Sequence, residues 1–312
     1  MFIKVSFILL LFFIALFLNL NIGELGDIFS NFNEVFEYRL PRTLGIALIG
    51  AFLAVSGLIY QAIFRNPLVS PDLLGSSAGA SLGVVLCIIL GLGSYFIMIG
   101  AFIFALLTTI LALFIAKVVG NLNNLVLILV GILLSTLLVA ILNLVNYLIP
   151  DKSSMIGVYF FLMGSFNALD FDALMILTLG LIAIIPIFLI SSRLDLLAAP
   201  KEVLITQGFK VNEFIALALI LGTILSSITV VVAGIIGWVS LVIPNIIRLL
   251  FKVKHKYLIL LSGILGSSFL LLADTLSKNI SYVELPIGVI TGLIGSPVFI
   301  AIMYLFLHSR NK

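Results

Sequence analysis

The polar side chains set inside the apolar stretches of this sequence are amides and hydroxyls: Gln61, Thr108, Asn143, Asn146 and Thr229. None of them is a carboxylate. Ion-coupled carriers place Asp, Glu or His at mid-membrane depth as a relay or ligand, so these residues argue against that chemistry. The chain also contains no G-x-x-x-x-G-K-[ST] phosphate loop and no H-E-x-x-H pair. Its two histidines, His255 and His308, stand far apart in sequence, so no metal site and no cofactor are assigned. The single cysteine, Cys87, lies in an apolar run; it cannot form an intrachain disulfide and reads as a small hydrophobe. What stands out is a set of cations. Arg39 and Arg42 flank Pro41 at the start of an apolar run, and Lys278 follows another. On residue type alone the two arginines fit either an acidic docking partner or simple anchoring of long side chains at a membrane interface.

The elements that carry these residues follow from composition. The 312 residues are 63% hydrophobic and only 9% charged, with a mean hydropathy of +1.38. Soluble proteins are about 45–50% apolar and about 25% charged, so lipid must solvate much of this chain. No Asp, Glu, Lys or Arg occurs in 5–23, 43–64, 73–116, 118–150, 173–192, 214–247, 257–273 or 285–307. A helical span needs about 20 apolar residues. Run 73–116 is therefore two spans hinged at Gly91-Leu92-Gly93-Ser94, a turn-forming cluster. Run 214–247 is resolved by charge. Arg193, Lys201 and Lys210 precede it, and Arg248, Lys252, Lys254 and Lys256 follow it. The positive-inside rule puts both groups on the cytoplasmic side, so the chain crosses twice between them, turning at Gly234 and Gly237. The second crossing, 236–251, is short and partly re-entrant.

The expectation is an all-α, polytopic membrane protein of about ten spans. They lie near 3–21, 43–63, 73–90, 95–116, 125–147, 172–191, 213–233, 236–251, 257–273 and 286–307. Residues 1–312 read as one membrane domain with both ends cytoplasmic. In this arrangement Arg39, Arg42, Lys152 and Lys278 are the only cations outside.

Several strings carry more than hydropathy. Gly75, Gly79 and Gly83 form a small-xxx-small ridge, which either packs helices closely in lipid or lines a pathway. Asn66-Pro67-Leu68 through Pro71 is a rigid turn, because proline removes a donor and fixes φ. Segment 194–211, LDLLAAPKEVLITQGFKV, is the longest feature between the sixth and seventh spans; unaided, it reads as a solvated amphipathic loop. Gly234-Ile-Ile-Gly237-Trp238 through Pro244-Asn245-Ile-Ile-Arg248, then Asp274, Glu284-Leu-Pro286-Ile-Gly288 and Gly295-Ser-Pro297-Val-Phe299, follow in order.

Taken together, from about Arg39 to Phe306, these strings closely resemble the FecCD-type permeases of ABC importers for iron-siderophores, haem and vitamin B12. The resemblance implies a type II importer permease that pairs with a second permease, identical or homologous. Two cytoplasmic ATPase subunits and a periplasmic or lipid-anchored substrate-binding protein complete the assembly. It implies docking of the binding protein on Arg39, Arg42 and Lys278. It implies contact between the ATPase and the segment holding Pro200, Lys201, Glu202 and Gly208. The turn at Asn123 and Asn124 would form an inner gate, although polar turns commonly carry asparagine in any case. Pro200 stands where the family usually has glycine, Lys201 where it has an acid, and Asn245 where it has histidine. The implied activity is import of an iron-siderophore or related metal chelate across a bacterial inner membrane, with ATP hydrolysis on another chain and no bond chemistry here. Two other classes stay open: a secondary carrier or channel for a small solute, and an intramembrane enzyme or scaffold. Within the family, haem, cobalamin and an oxyanion are alternative cargoes. Nothing points to nucleic acid.

Overall fold

The computed structural model describes residues 2–22, 35–120, 122–148, 161–280 and 284–310; Lys152 and Lys312 lie outside them. Eight helices are long and apolar enough to cross a bilayer. They are α1 (Phe2–Asn21), α2 (Leu40–Phe64), α4 (Ser94–Gly120), α5 (Asn124–Leu148), α6 (Phe171–Leu196), α8 (Val211–Ala233), α10 (His255–Ile280) and α11 (Ile287–Arg310). Two shorter apolar helices, α3 (Ser76–Ile89) and α9 (Val239–Leu250), complete the ten apolar segments read from the sequence. The short α7 (Lys201–Thr206) lies between α6 and α8.

Helix α2 is the spine. Pro41 sits in its first turn, where the missing N–H costs nothing. Most of its residues are buried, and it packs against α10, α8, α9 and α6. In lipid, helix association depends on close packing and interhelical hydrogen bonds, and α2 uses both. Gly50 and Gly266 bring the backbones of α2 and α10 into contact, so that a methyl group on either would strike the other's carbonyl. The Ser56 hydroxyl donates to the Gly222 carbonyl at 2.6 Å, and the Tyr60 and Thr223 hydroxyls pair at 2.7 Å. Spans α2, α8 and α10 are mostly buried, whereas α1, α4, α5, α6 and α11 expose most of their apolar surface.

The glycine ridge packs within the chain. A methyl group at Gly79 would collide with Thr108 and the Phe104 carbonyl, and one at Gly83 with Gly100, all on α4. Gly75 has φ +79° and ends the 3-10 turn Pro71–Leu74. That turn moves the start of α3 to Ser76, later than hydropathy alone indicates.

Helix α9 has 12 residues, about 18 Å at 1.5 Å per residue, well short of a hydrocarbon core of about 30 Å. The chain reaches it through non-helical residues 234–238, as the short, partly re-entrant reading requires. Such backbone is tolerated at membrane depth only under protein cover. Phe161–Ser165 supplies it: the Ser165 N–H donates to the Ala233 carbonyl at 2.9 Å, and the Ile287 N–H to the Gly164 carbonyl at 3.0 Å.

Some helices run past the charges that close the apolar runs. Helix α4 continues beyond Lys117, α6 beyond Arg193 and α10 beyond Asp274. For α10 the reason is pairing, described next.

Candidate functional site

The helix ends form two polar regions. The first gathers the C-terminal ends of α2, α6 and α9, the N-terminal ends of α1 and α10, and the α4–α5 turn. Lys4 Nζ donates to the Leu250 carbonyl at 3.1 Å, which puts the start of α1 beside the end of α9. The Asp195 carboxylate lies 2.6 Å from His255 Nδ1 and also accepts the His255 backbone N–H. Segments 193–210 and 248–256 therefore sit at the same end, as their charge requires.

Here the residues expected to couple and to gate converge. Asn123 caps α5 by accepting the Leu125 N–H at 2.9 Å on its side-chain oxygen. Asn124 Nδ2 donates to the Ile63 carbonyl at 3.3 Å, tying this turn to the end of α2. Arg65, in the left-handed region at φ 51°, donates to the Ala199 carbonyl and so ties the same helix end to the segment expected to couple. Asn123, Asn124, Pro200, Lys201, Glu202 and Arg65 line one cleft of about 570 Å³. Gly208 borders the next hollow, beside Lys210 and Glu213. Its φ is +79°, and open space surrounds the position a methyl group would take. Glycine is required there by the backbone and not by crowding.

The second region lies at the opposite end and is organised by Asp274, whose side chain is 1% exposed. Its carboxylate accepts from Arg42 Nη2 at 2.7 Å, Lys278 Nζ at 2.6 Å and Asn19 Nδ2 at 2.8 Å. Glu284 takes the Arg42 fork at 3.0 and 2.9 Å. Thr43 donates to the Asn19 side-chain oxygen at 2.8 Å, and Arg39 Nη1 to the Leu20 carbonyl at 2.9 Å. The three cations expected to dock a partner do share one end of the molecule. They are largely buried, and Arg42 and Lys278 are engaged by internal carboxylates.

Sequence reasoning missed Asp274 as a hub and Arg65 as a tether. The spacing of Asp274 and Lys278, one helical turn apart, was the available signal for the first. For Arg65, position beside the Asn-Pro turn was the only one.

Among the described residues, ten apolar helices around a buried spine, one of them half-length, with a polar cleft at one end, define a multi-span membrane protein. The chain belongs to the FecCD transport family, whose model matches residues 5–305. It is 37% identical over 272 residues to the "Probable iron chelatin transport system permease protein" of Helicobacter pylori, covering 86% of this chain and 82% of that one. It is 33% identical to the molybdate import permease MolB of Haemophilus influenzae, covering 86% and 80%. It is 34% identical to the vitamin B12 import permease BtuC of Escherichia coli, covering 92% and 90%. Among solved structures, a metal-chelate type ABC transporter in an inward-facing conformation superposes with TM-score 0.90 at 31% identity, over 97% of this chain and 99% of that one. PsaBC of Streptococcus pneumoniae shares the fold at TM-score 0.61 and 19% identity, over 88% and 95%. All-α architecture and membership of this ABC permease family thus stand as expected.

Proposed function

We propose that this chain, as a single membrane domain, is the permease subunit of a binding-protein-dependent importer of an iron-siderophore or related metal chelate. It pairs with a second permease. Two ATPase subunits engage the end that carries Arg65 and Arg248, which faces the cytoplasm together with both termini, and the binding protein engages the Asp274 end. ATP is hydrolysed on the partner subunits, and the movement reaches this chain through α7. The observation that carries the reading is the common cleft of Asn123, Asn124, Pro200, Lys201 and Glu202. A push on α7 acts directly on the turn that would close the pathway. The iron chelate is favoured by the Helicobacter relative and the metal-chelate structure. An oxyanion is the second reading, on the strength of the molybdate relative.

Gly208 supplies the test. Gly208→Ala introduces backbone strain of about 1–2 kcal/mol at a positive φ; Gly208→Trp carries the same strain and adds bulk into open space. Co-purification of the ATPase should fall at least tenfold for Trp and less than twofold for Ala, with uptake of radiolabelled ferric chelate following. Full ATPase recovery with a folded Gly208→Trp permease would sink the coupling assignment. Uptake of chelate that persists without the ATPase would instead favour a secondary carrier.

A further inference from the structure

Beside the cleft lies a second cavity of about 550 Å³, where α2, α6 and α9 end and α10 begins. Arg248, in the last turn of α9, is half-buried on its wall. Its guanidinium donates to Gln61 Oε1 and, at 3.2 Å, to Asn245 Oδ1. Both amides are locked with their oxygens toward it. Gln61 Nε2 donates to the Ser240 and Leu241 carbonyls, each at 3.2 Å. Asn245 Nδ2 donates to the Pro67 and Leu241 carbonyls, each at 2.8 Å. The arginine is therefore held in place by neutral acceptors only. Neither Arg248 nor Arg65, which lines the same cavity, has a carboxylate partner among the described residues. Asp195, at the same end of the bundle, is engaged by His255.

A guanidinium withdrawn from water without a counter-ion is costly. This one is preorganised, and its fork matches phosphate oxygens. The rest of the wall is apolar and includes Leu194, Leu197 and Met303. The cavity lies where the apolar spans stop, which for helices of membrane-crossing length is the level of the headgroups. Basic pockets between transmembrane helices at this level are suited to anionic lipid headgroups. A free phosphate would leave the apolar wall unused.

We propose that this cavity binds the phosphate group of an anionic phospholipid, with Arg248 and Arg65 as its cationic ligands and the apolar wall against the first acyl carbons. Because Arg65 also lines the coupling cleft, an occupied cavity restrains the segment at Ala199 that it tethers. The site requires only that the spans lie in lipid, whatever the cargo.

Native mass spectrometry of the full-length permease, released from nanodiscs of phosphatidylglycerol or phosphatidylcholine with the same acyl chains, tests it. The wild type should retain phosphatidylglycerol at least tenfold over phosphatidylcholine. Arg248→Gln should abolish that preference, Arg248→Lys should retain part of it, and Lys254→Gln should leave it unchanged. Arg65→Gln, at a more exposed position, should reduce it severalfold even if Arg248→Gln fails to fold. Displacement of the lipid by millimolar inorganic phosphate would overturn the lipid as the source of the phosphate. Undiminished retention in both Arg65→Gln and Arg248→Lys would overturn the site. So would loss of the wild-type preference when the ATPase is added, because a protein carboxylate would then be the natural partner.

Discussion

The two ends of the bundle handle charge in opposite ways. At the Asp274 end, a buried carboxylate gathers Arg42 and Lys278, and Glu284 closes the remaining side of the Arg42 fork. At the Arg248 end, Arg65 and Arg248 have only carbonyl and amide acceptors among the described residues. The first end is close to electrostatic closure and locks α1, α2 and α10 together. The second leaves positive charge for a group outside the chain, and the segments expected to couple and to gate meet beside it.

Removing the hub should give the largest effect. Asp274→Ala leaves Arg42 and Lys278 without their buried partner, and breaking a buried pair this way costs about 3–5 kcal/mol. Arg248→Gln orphans only two amide oxygens, at about 1–3 kcal/mol. Thermal unfolding in one detergent should therefore rank Asp274→Ala well below Arg248→Gln. The reverse order would erase the contrast between the ends.

Glu284→Gln is a milder probe of the closed end. If the binding protein docks on Arg42, it competes with Glu284 for the same fork. Neutralising Glu284 should strengthen docking severalfold at low salt, and the gain should fade as salt screens the contact. Reversing Arg42 itself is less informative, because Glu at that position would repel Asp274 and disturb the fold. Unchanged docking in Glu284→Gln would make the cluster a structural lock alone.

The smallest effect belongs to the cleft. Asn124→Ala removes one 3.3 Å hydrogen bond to the Ile63 carbonyl, worth about 1 kcal/mol. It should alter uptake more than stability if the turn gates the pathway. Equal, slight losses in both would reduce Asn124 to an ordinary turn residue.

Much of this was legible because it is local. Pro41 marks the start of α2, the Gly91-Leu92-Gly93 turn separates α3 from α4, and Gly234 at φ +70° ends α8. Hydropathy and turn chemistry act over a few residues, so they can be read along the chain. The span ends were less legible. The apolar run of α10 stops at Asp274, but the helix continues to Ile280 because Asp274 is neutralised by Arg42, 232 residues away. Gln61 and Arg248 are likewise 187 residues apart, and nothing at either position announces the other. The sequence carried the charges, but only the packing of α2 against α9 and α10 determines which of them meet.

In the proposed orientation the Arg248 end faces the ATPase in the cytoplasm and the Asp274 end faces out. Single cysteines at Lys201, Lys254 and the exposed Tyr38, each in a Cys87→Ser background, test it most directly. In intact cells, a membrane-impermeant thiol reagent should label position 38 and spare positions 201 and 254 until the membrane is opened. Labelling of 201 or 254 from outside, with 38 protected, would invert this orientation.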